Sequence, residues 1–130
     1  MSTPDETLTY PGARAPGRTR RHDADGVDIA VYEWGRESDP PLFLVHGGSD
    51  FARTMDVFAP LLADAGWRVL AWDHRGHGDS DWDPQGRYDS DSMASDLEKI
   101  LEAFGIERFV LIGFSMGGRA SMLFAERHPE

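Results

Sequence analysis

Gly113-Phe114-Ser115-Met116-Gly117 places one hydroxyl between two glycines. A serine attacks a carbonyl carbon when its hydroxyl is exposed, a base takes its proton, and fixed N–H donors hold the tetrahedral oxyanion. The pattern Gly-x-Ser-x-Gly arises by chance in about one chain in twenty-five of this length, so its surroundings decide its weight. The apolar run Val110-Leu111-Ile112 before it reads as a strand buried on both faces, and Arg119 to Arg127 after it reads as a helix. With no loop residues to spare, strand-to-helix passage forces a sharp turn in which one residue takes φ > 0. Gly113 and Gly117 would then let the two backbones pass closely. A helix start at this point also favours developing negative charge.

Two backbone donors can be named. Met116 N–H stands at the start of that helix. Gly48, in His46-Gly47-Gly48 after the run Leu42-Phe43-Leu44-Val45, has no side chain to keep a substrate oxygen from its backbone; Ser49 is the substitute if the loop is shifted by one residue. A base is harder to find. Of the five histidines at 22, 46, 74, 77 and 128, only His128 follows Ser115, and thirteen residues along one helix span about 20 Å. His46 opens a tight glycine turn and reads as bonding its own loop rather than as a base.

Other chemistries fit less well. His74 and His77 beside Asp73 and Asp79 match no metal-site spacing and read as loop hydrogen bonding. A dinucleotide fingerprint needs a third glycine that Gly76-x-Gly78 lacks, and no Gly-Lys precedes Ser or Thr as a phosphate-binding loop requires. No cofactor and no metal are expected.

The positioning elements follow from the patterning. Arg20–Asp23 and Val27–Trp34 flank Asp25-Gly26, a hairpin signal. Leu42–Val45 and Arg68–Trp72 are short apolar runs that read as interior strands of a parallel sheet. A helix is expected from about Thr54 to Ala65, with Val57, Phe58, Leu61 and Leu62 on one face, Gly66 as its stop and Pro60 marking a kink or late start. Asp73 to about Asp89 forms a long loop. The next helix carries Met93, Leu97, Ile100, Leu101 and Phe104, with Ser90 or Asp91 as cap and Gly105 as stop. Alternating strands and helices imply an α/β fold: a hairpin, then mostly parallel strands with right-handed crossovers and helices on both faces. The ligand crevice of such a sheet lies beyond the carboxyl ends of its strands. The loops after Val45, Trp72 and Ile112 all leave from that edge.

Composition sets the outer limits. The 130 residues carry 23 Asp plus Glu against 13 Lys plus Arg, a formal charge of −10, which argues against nucleic acid or anionic membrane as partner. The absence of cysteine excludes disulfides and thiolate chemistry. No signal-like or membrane-spanning apolar segment stands out, so a cytoplasmic location is the default expectation. Residues 1–18 are rich in Pro, Gly, Thr and Arg and read as a mobile tail; the arginines at 14, 18, 20 and 21 read as a solvated tail entering an edge strand.

Together His46-Gly47-Gly48, Asp73-x-Arg75-Gly76-His77-Gly78-Asp79-Ser80 and Gly113-Phe114-Ser115-Met116-Gly117-Gly118 resemble the α/β-hydrolase superfamily, in its esterase, cofactor-free haloperoxidase and carbon–carbon hydrolase branch. The resemblance covers residues 19–130. It implies Ser115 as nucleophile, Met116 and Gly48 as oxyanion donors, and a small carbonyl compound as substrate, with perhydrolysis as an alternative at the same serine. Serine at the elbow disfavours the carboxylate-nucleophile branches, dehalogenases and epoxide hydrolases. The Asp73–Ser80 loop is implied to be architectural. In that family the acid and the histidine follow the elbow on later strands. The resemblance therefore implies the N-terminal half of a hydrolase domain, cut after the elbow helix and weakly active at most alone. A non-catalytic half-domain pairing with another chain, or self-associating through an exposed sheet edge, is the reading from a different class.

Overall fold

The computed structural model describes residues 10–130, so the expected tail lies outside the described residues over 1–9. Strands β1 (Arg18–Ala24) and β2 (Val27–Trp34) pair antiparallel across Asp25 and Gly26. Both turn residues have positive φ, 58° and 87°, as a two-residue turn matched to strand twist requires. Then come β3 (Pro41–Val45), a short 3-10 turn (Ala52–Met55), α1 (Phe58–Asp64), β4 (Arg68–Trp72), α2 (Ser90–Phe104), β5 (Val110–Gly113) and α3 (Met116–Arg127). The five strands form one sheet in the order β1-β2-β4-β3-β5. β4, β3 and β5 run parallel, and β2 joins β4 antiparallel.

Strand alternation divides the core into two layers. Val27, Ile29, Val31, Phe43, Val45, Leu70 and Trp72 pack under α2 and α3 with Ala94, Leu97, Ile100 and Phe124. Ala30, Tyr32, Trp34, Leu42, Leu44, Val69 and Ala71 pack on the other face with Ala52 and Ala59. Burial on both faces is why β3 and β4 read as uninterrupted apolar runs. Phe43 anchors the first layer, edge-on to Trp72 at 5.8 Å and to Phe109 at 5.4 Å.

Four local expectations change. The helix expected over Thr54–Ala65 splits into the 3-10 turn and α1, and Pro60 falls in the first turn of α1, where a helix has no use for its N–H. The inward face of α1 is Ala59 and Pro60 with Leu62, whereas Phe58 and Leu61 are exposed. Helix α2 is capped by Asp89, one residue early: its carboxylate accepts the Ser92 N–H at 2.8 Å. The run Val110–Ile112 is not buried on both faces, because β5 has one neighbour and lies at the sheet edge; Val110 is 40% exposed.

The described part of the tail is irregular but tied to the body. Arg14 donates to Asp64 Oδ1 (2.7 Å) and to the Pro60 carbonyl, its own carbonyl accepts the Trp34 indole N–H, and Gly17 N–H bonds Glu33 O. The β1 arginines meet carboxylates: Arg20 pairs with Glu37, Arg21 with Asp28, and Arg18 lies 3.5 Å from buried Glu33. Arg68 binds the same Glu33 at 2.7 Å. Gly66 and Gly105 take positive φ where α1 and α2 stop.

Candidate active site

β5 passes directly into α3, and the turn falls on one residue. Ser115 has φ 53° and ψ −115°, a conformation that costs a non-glycine residue about 1–3 kcal/mol. Packing around the turn enforces it. A Cβ on Gly113 would lie 2.6 Å from the Gly118 Cα, and one on Gly117 would fall against the carbonyl oxygens of Val45 and His46. Phe114 N–H bonds Val45 O at 2.9 Å, pinning the turn to the end of β3, and Arg119 N–H bonds Ser115 O to begin the helix. The serine side chain is left exposed. Met116 N–H, in the first turn of α3, has no acceptor among the described residues.

The loop after β3 lies alongside. A Cβ on Gly47 would lie 3.3 Å from Ser115 Cβ, and one on Gly48 would lie 3.5 Å from Met116 Sδ. Gly48 N–H also lacks an acceptor among the described residues. The fold therefore brings Ser115, Met116 and Gly48 together. A trough of about 710 Å³ opens beside Ser115 between β5 and α3, lined by Leu111, Gly118, Arg119 and Met122.

The histidines are otherwise engaged. His46 Nδ1–H donates to Gly47 O (2.6 Å), and its Nε2 accepts the His74 N–H (2.9 Å). Both nitrogens are used by the loop, and burial pushes this imidazole below the ordinary histidine value. His74 Nε2–H donates to His46 O, and burial, helped by His46, pushes it down to about 3. His77 bonds Arg75 O and the Ser49 N–H. His22 is on β1, the sheet edge opposite β5, about 19 Å away across four strand spacings. His128 ends α3, stacked on Phe124 at 4.6 Å. Among them, His74 Nδ1 is buried without a hydrogen-bond partner, and no histidine is hydrogen-bonded to Ser115.

The loop after β4 is held by its own charges. Asp73 Oδ1 accepts the Ala52 N–H (2.7 Å); Oδ2 accepts the Asp79 N–H and lies 2.9 Å from the Tyr32 hydroxyl. Gly78, at φ 48°, has that carboxylate where a Cβ would sit. Buried Arg75 forms a two-pronged pair with Asp96 of α2 (2.6 and 2.8 Å) and bonds Asp83 at 3.0 Å. Sequence reading passed over Tyr32, Asp83 and Asp96, since each meets its partner only through the fold; Gly78 was the one local signal, because it marks the space that Asp73 fills. No group of three or more His, Asp or Glu among the described residues could hold a metal ion, and no helix is long and apolar enough to cross a membrane.

Comparison with known proteins agrees with this architecture. The family described as alpha/beta hydrolase fold matches residues 40–130. A bifunctional esterase/perhydrolase of Acinetobacter calcoaceticus is 35% identical over 107 residues, covering 81% of this chain and 38% of its own. An epoxide hydrolase A of Mycobacterium tuberculosis is 37% identical over 111 residues, covering 81% of this chain and 34% of its own. The crystal structure of a membrane phospholipase A, a bacterial virulence factor, superposes with a TM-score of 0.80 at 35% identity, over 86% of this chain and 36% of that one. The chain spans about a third of the length of the curated relatives it matches.

Proposed function

The chain belongs to the α/β hydrolase fold family, and from that premise we propose that Ser115 is the nucleophile of a hydrolase acting on esters or related carbonyl compounds through an acyl-enzyme. The observation that carries the reading is the positive φ of Ser115, a strained turn that puts the one exposed hydroxyl of the elbow beside two unpartnered backbone N–H groups. In this reading Met116 N–H and Gly48 N–H receive the oxyanion, and the start of α3 adds its dipole. The side-chain type argues against epoxide chemistry. A serine opening an epoxide would leave an ether that water does not readily cleave, whereas attack on a carbonyl leaves an ester that it does. Peroxide in place of water would make the same intermediate a perhydrolase, as the name of the Acinetobacter relative suggests.

The base is proposed to come from a segment outside these 130 residues, since His46 and His77 are spent on the loops, burial holds His74 down to about 3, and His22 and His128 lie at the far edge and the far end of α3. The exposed β5 edge favours a second, compatible reading, a half-domain that pairs with another polypeptide or with its own copy through Val110–Gly113.

A fluorophosphonate probe, which needs an exposed and oxyanion-stabilised serine, tests the first reading. Labelling should map to Ser115 and disappear in Ser115→Ala, and equal turnover of an activated ester by both proteins would refute it. Without a base the rate enhancement should not exceed about 10³–10⁴ over water. For the second reading, sedimentation should show association that Val110→Lys abolishes; a monomer at all concentrations, alone and with candidate partners, removes it.

A further inference from the structure

We propose that His77 is a positioning residue for the candidate oxyanion loop, holding Gly48 in register with Ser115 through its Nε2. The inference rests on the reading of Gly48 given above.

Two imidazoles bracket Gly48. On one side His46 Nδ1–H donates to Gly47 O. That carbonyl shares a planar trans peptide with Gly48 N–H, so fixing the oxygen aims the N–H the opposite way. On the other side Ser49 N–H donates to His77 Nε2 at 3.2 Å, which fixes the following peptide. Ser49 itself takes φ 59°, so the loop turns sharply where the bond holds it.

The tautomer of His77 is set by its other bond. Nδ1 lies 3.0 Å from Arg75 O, an acceptor only, so Nδ1 carries the proton and Nε2 keeps the lone pair that Ser49 needs. Arg75 is in turn immobilised by Asp96 and Asp83. The loop after β3 is thus referenced to helix α2 through Asp96, Arg75, His77 and Ser49. Nothing in this chain of contacts touches a reacting atom, which makes His77 a positioning rather than a catalytic residue.

The arrangement requires a neutral ring. A proton on Nε2 would set two N–H groups against each other, release Ser49 and free Gly48. The rings of His46 and His74 lie beside that of His77, with centroids at 5.2 and 6.2 Å.

The full chain is followed by amide NMR and by the rate at which a fluorophosphonate labels Ser115. His77→Phe keeps a ring without an acceptor, and His77→Gln offers an amide oxygen near the position of Nε2. In His77→Phe the Ser49 amide should exchange about fivefold faster and labelling should slow about five- to tenfold; His77→Gln should recover both to within about twofold. In the wild type the Ser49 amide should be protected from exchange and should show a scalar coupling across the hydrogen bond to His77 Nε2, a measurement that needs no variant to fold. An unprotected Ser49 amide, or unchanged labelling in His77→Phe, would each overturn the proposal. If Ser115 labels in no protein, the nucleophile reading fails instead, and the Ser49 amide still decides whether His77 holds the loop.

Discussion

Two adjacent glycines of α3 should respond to alanine in opposite directions. A Cβ on Gly117 would fall against the Val45 and His46 carbonyl oxygens and lie 2.8 Å from the Val45 carbonyl carbon. An ordinary carbon–carbon contact is about 3.5 Å, so the start of α3 must retreat from β3 by roughly 0.7 Å. The obstacle is backbone on both sides, and no side chain can swing away to relieve it. Overpacking of this kind costs about 1–3 kcal/mol, which at this chain length lowers Tm by roughly 4–12 °C. The same retreat carries Ser115 away from Gly48, and a displacement approaching 1 Å at a reacting centre costs up to about 10²-fold. On Gly118 a Cβ would meet only the Gly113 carbonyl, at 3.4 and 3.6 Å. Gly118→Ala should therefore show the helix-propensity gain of about 0.5–1 kcal/mol, raising Tm by a few degrees with labelling within about twofold. Thermal unfolding by circular dichroism and phosphonate labelling rates check both variants. A Gly117→Ala protein as stable and as reactive as the wild type would refute the close-contact argument for the elbow.

Three further outcomes follow from the supporting loops. Asp73→Ala leaves the Ala52 and Asp79 N–H groups without their acceptor and should destabilise by about 2–5 kcal/mol in urea unfolding. Asp96→Ala strips buried Arg75 of its two-pronged partner and should cost about 3 kcal/mol, with Asp96→Asn recovering part of it through one remaining oxygen. Asp83 is held well below the usual carboxylate range, first by its bond to Arg87 and then by the Gln85 N–H. Its folded value lies below its unfolded one, so the stability it supplies is complete above about pH 4 and is lost as the pH falls towards the folded value. Unfolding free energy measured between pH 5 and pH 2 should fall less steeply in Asp83→Asn; an identical slope would contradict the assignment.

What the sequence disclosed was the part of the structure governed by neighbours along the chain. The Asp25-Gly26 turn, the two-faced strands β3 and β4, the periodic face of α2 and the glycine stops need only local rules, as does the abrupt passage from β5 into α3. What stayed hidden depends on partners far apart in the chain. Whether Val110 is buried is decided by the number of strands beside β5, and no residue of β5 encodes that. The inward face of α1 is set by which small residues can approach β2 and β4, so Ala59 outranks the larger Phe58 and Leu61. Asp89 displaced Ser90 and Asp91 as cap because its carboxylate reaches Ser92, a choice among three adjacent cap formers that composition leaves even. At the site, the meeting of Gly48 with Met116 follows from loops leaving one sheet edge, and the bond of His46 to its own loop is local; the reach of His77 to Ser49 was not readable, since it comes from the loop after another strand.

The left-handed backbone of Ser115 also bears on how such a chain changes over generations. Glycine adopts φ 53° without steric penalty, so Ser115→Gly would relieve about 1 kcal/mol at this turn. A lineage released from any demand on the hydroxyl would gain stability by that single exchange, and drift would tend to make it early. Keeping a side chain there carries a standing thermodynamic disadvantage, and only a use for the side chain offsets it. A residue ill suited to its own backbone is thereby an informative position at which to ask, among descendants of this chain, which of them still perform chemistry.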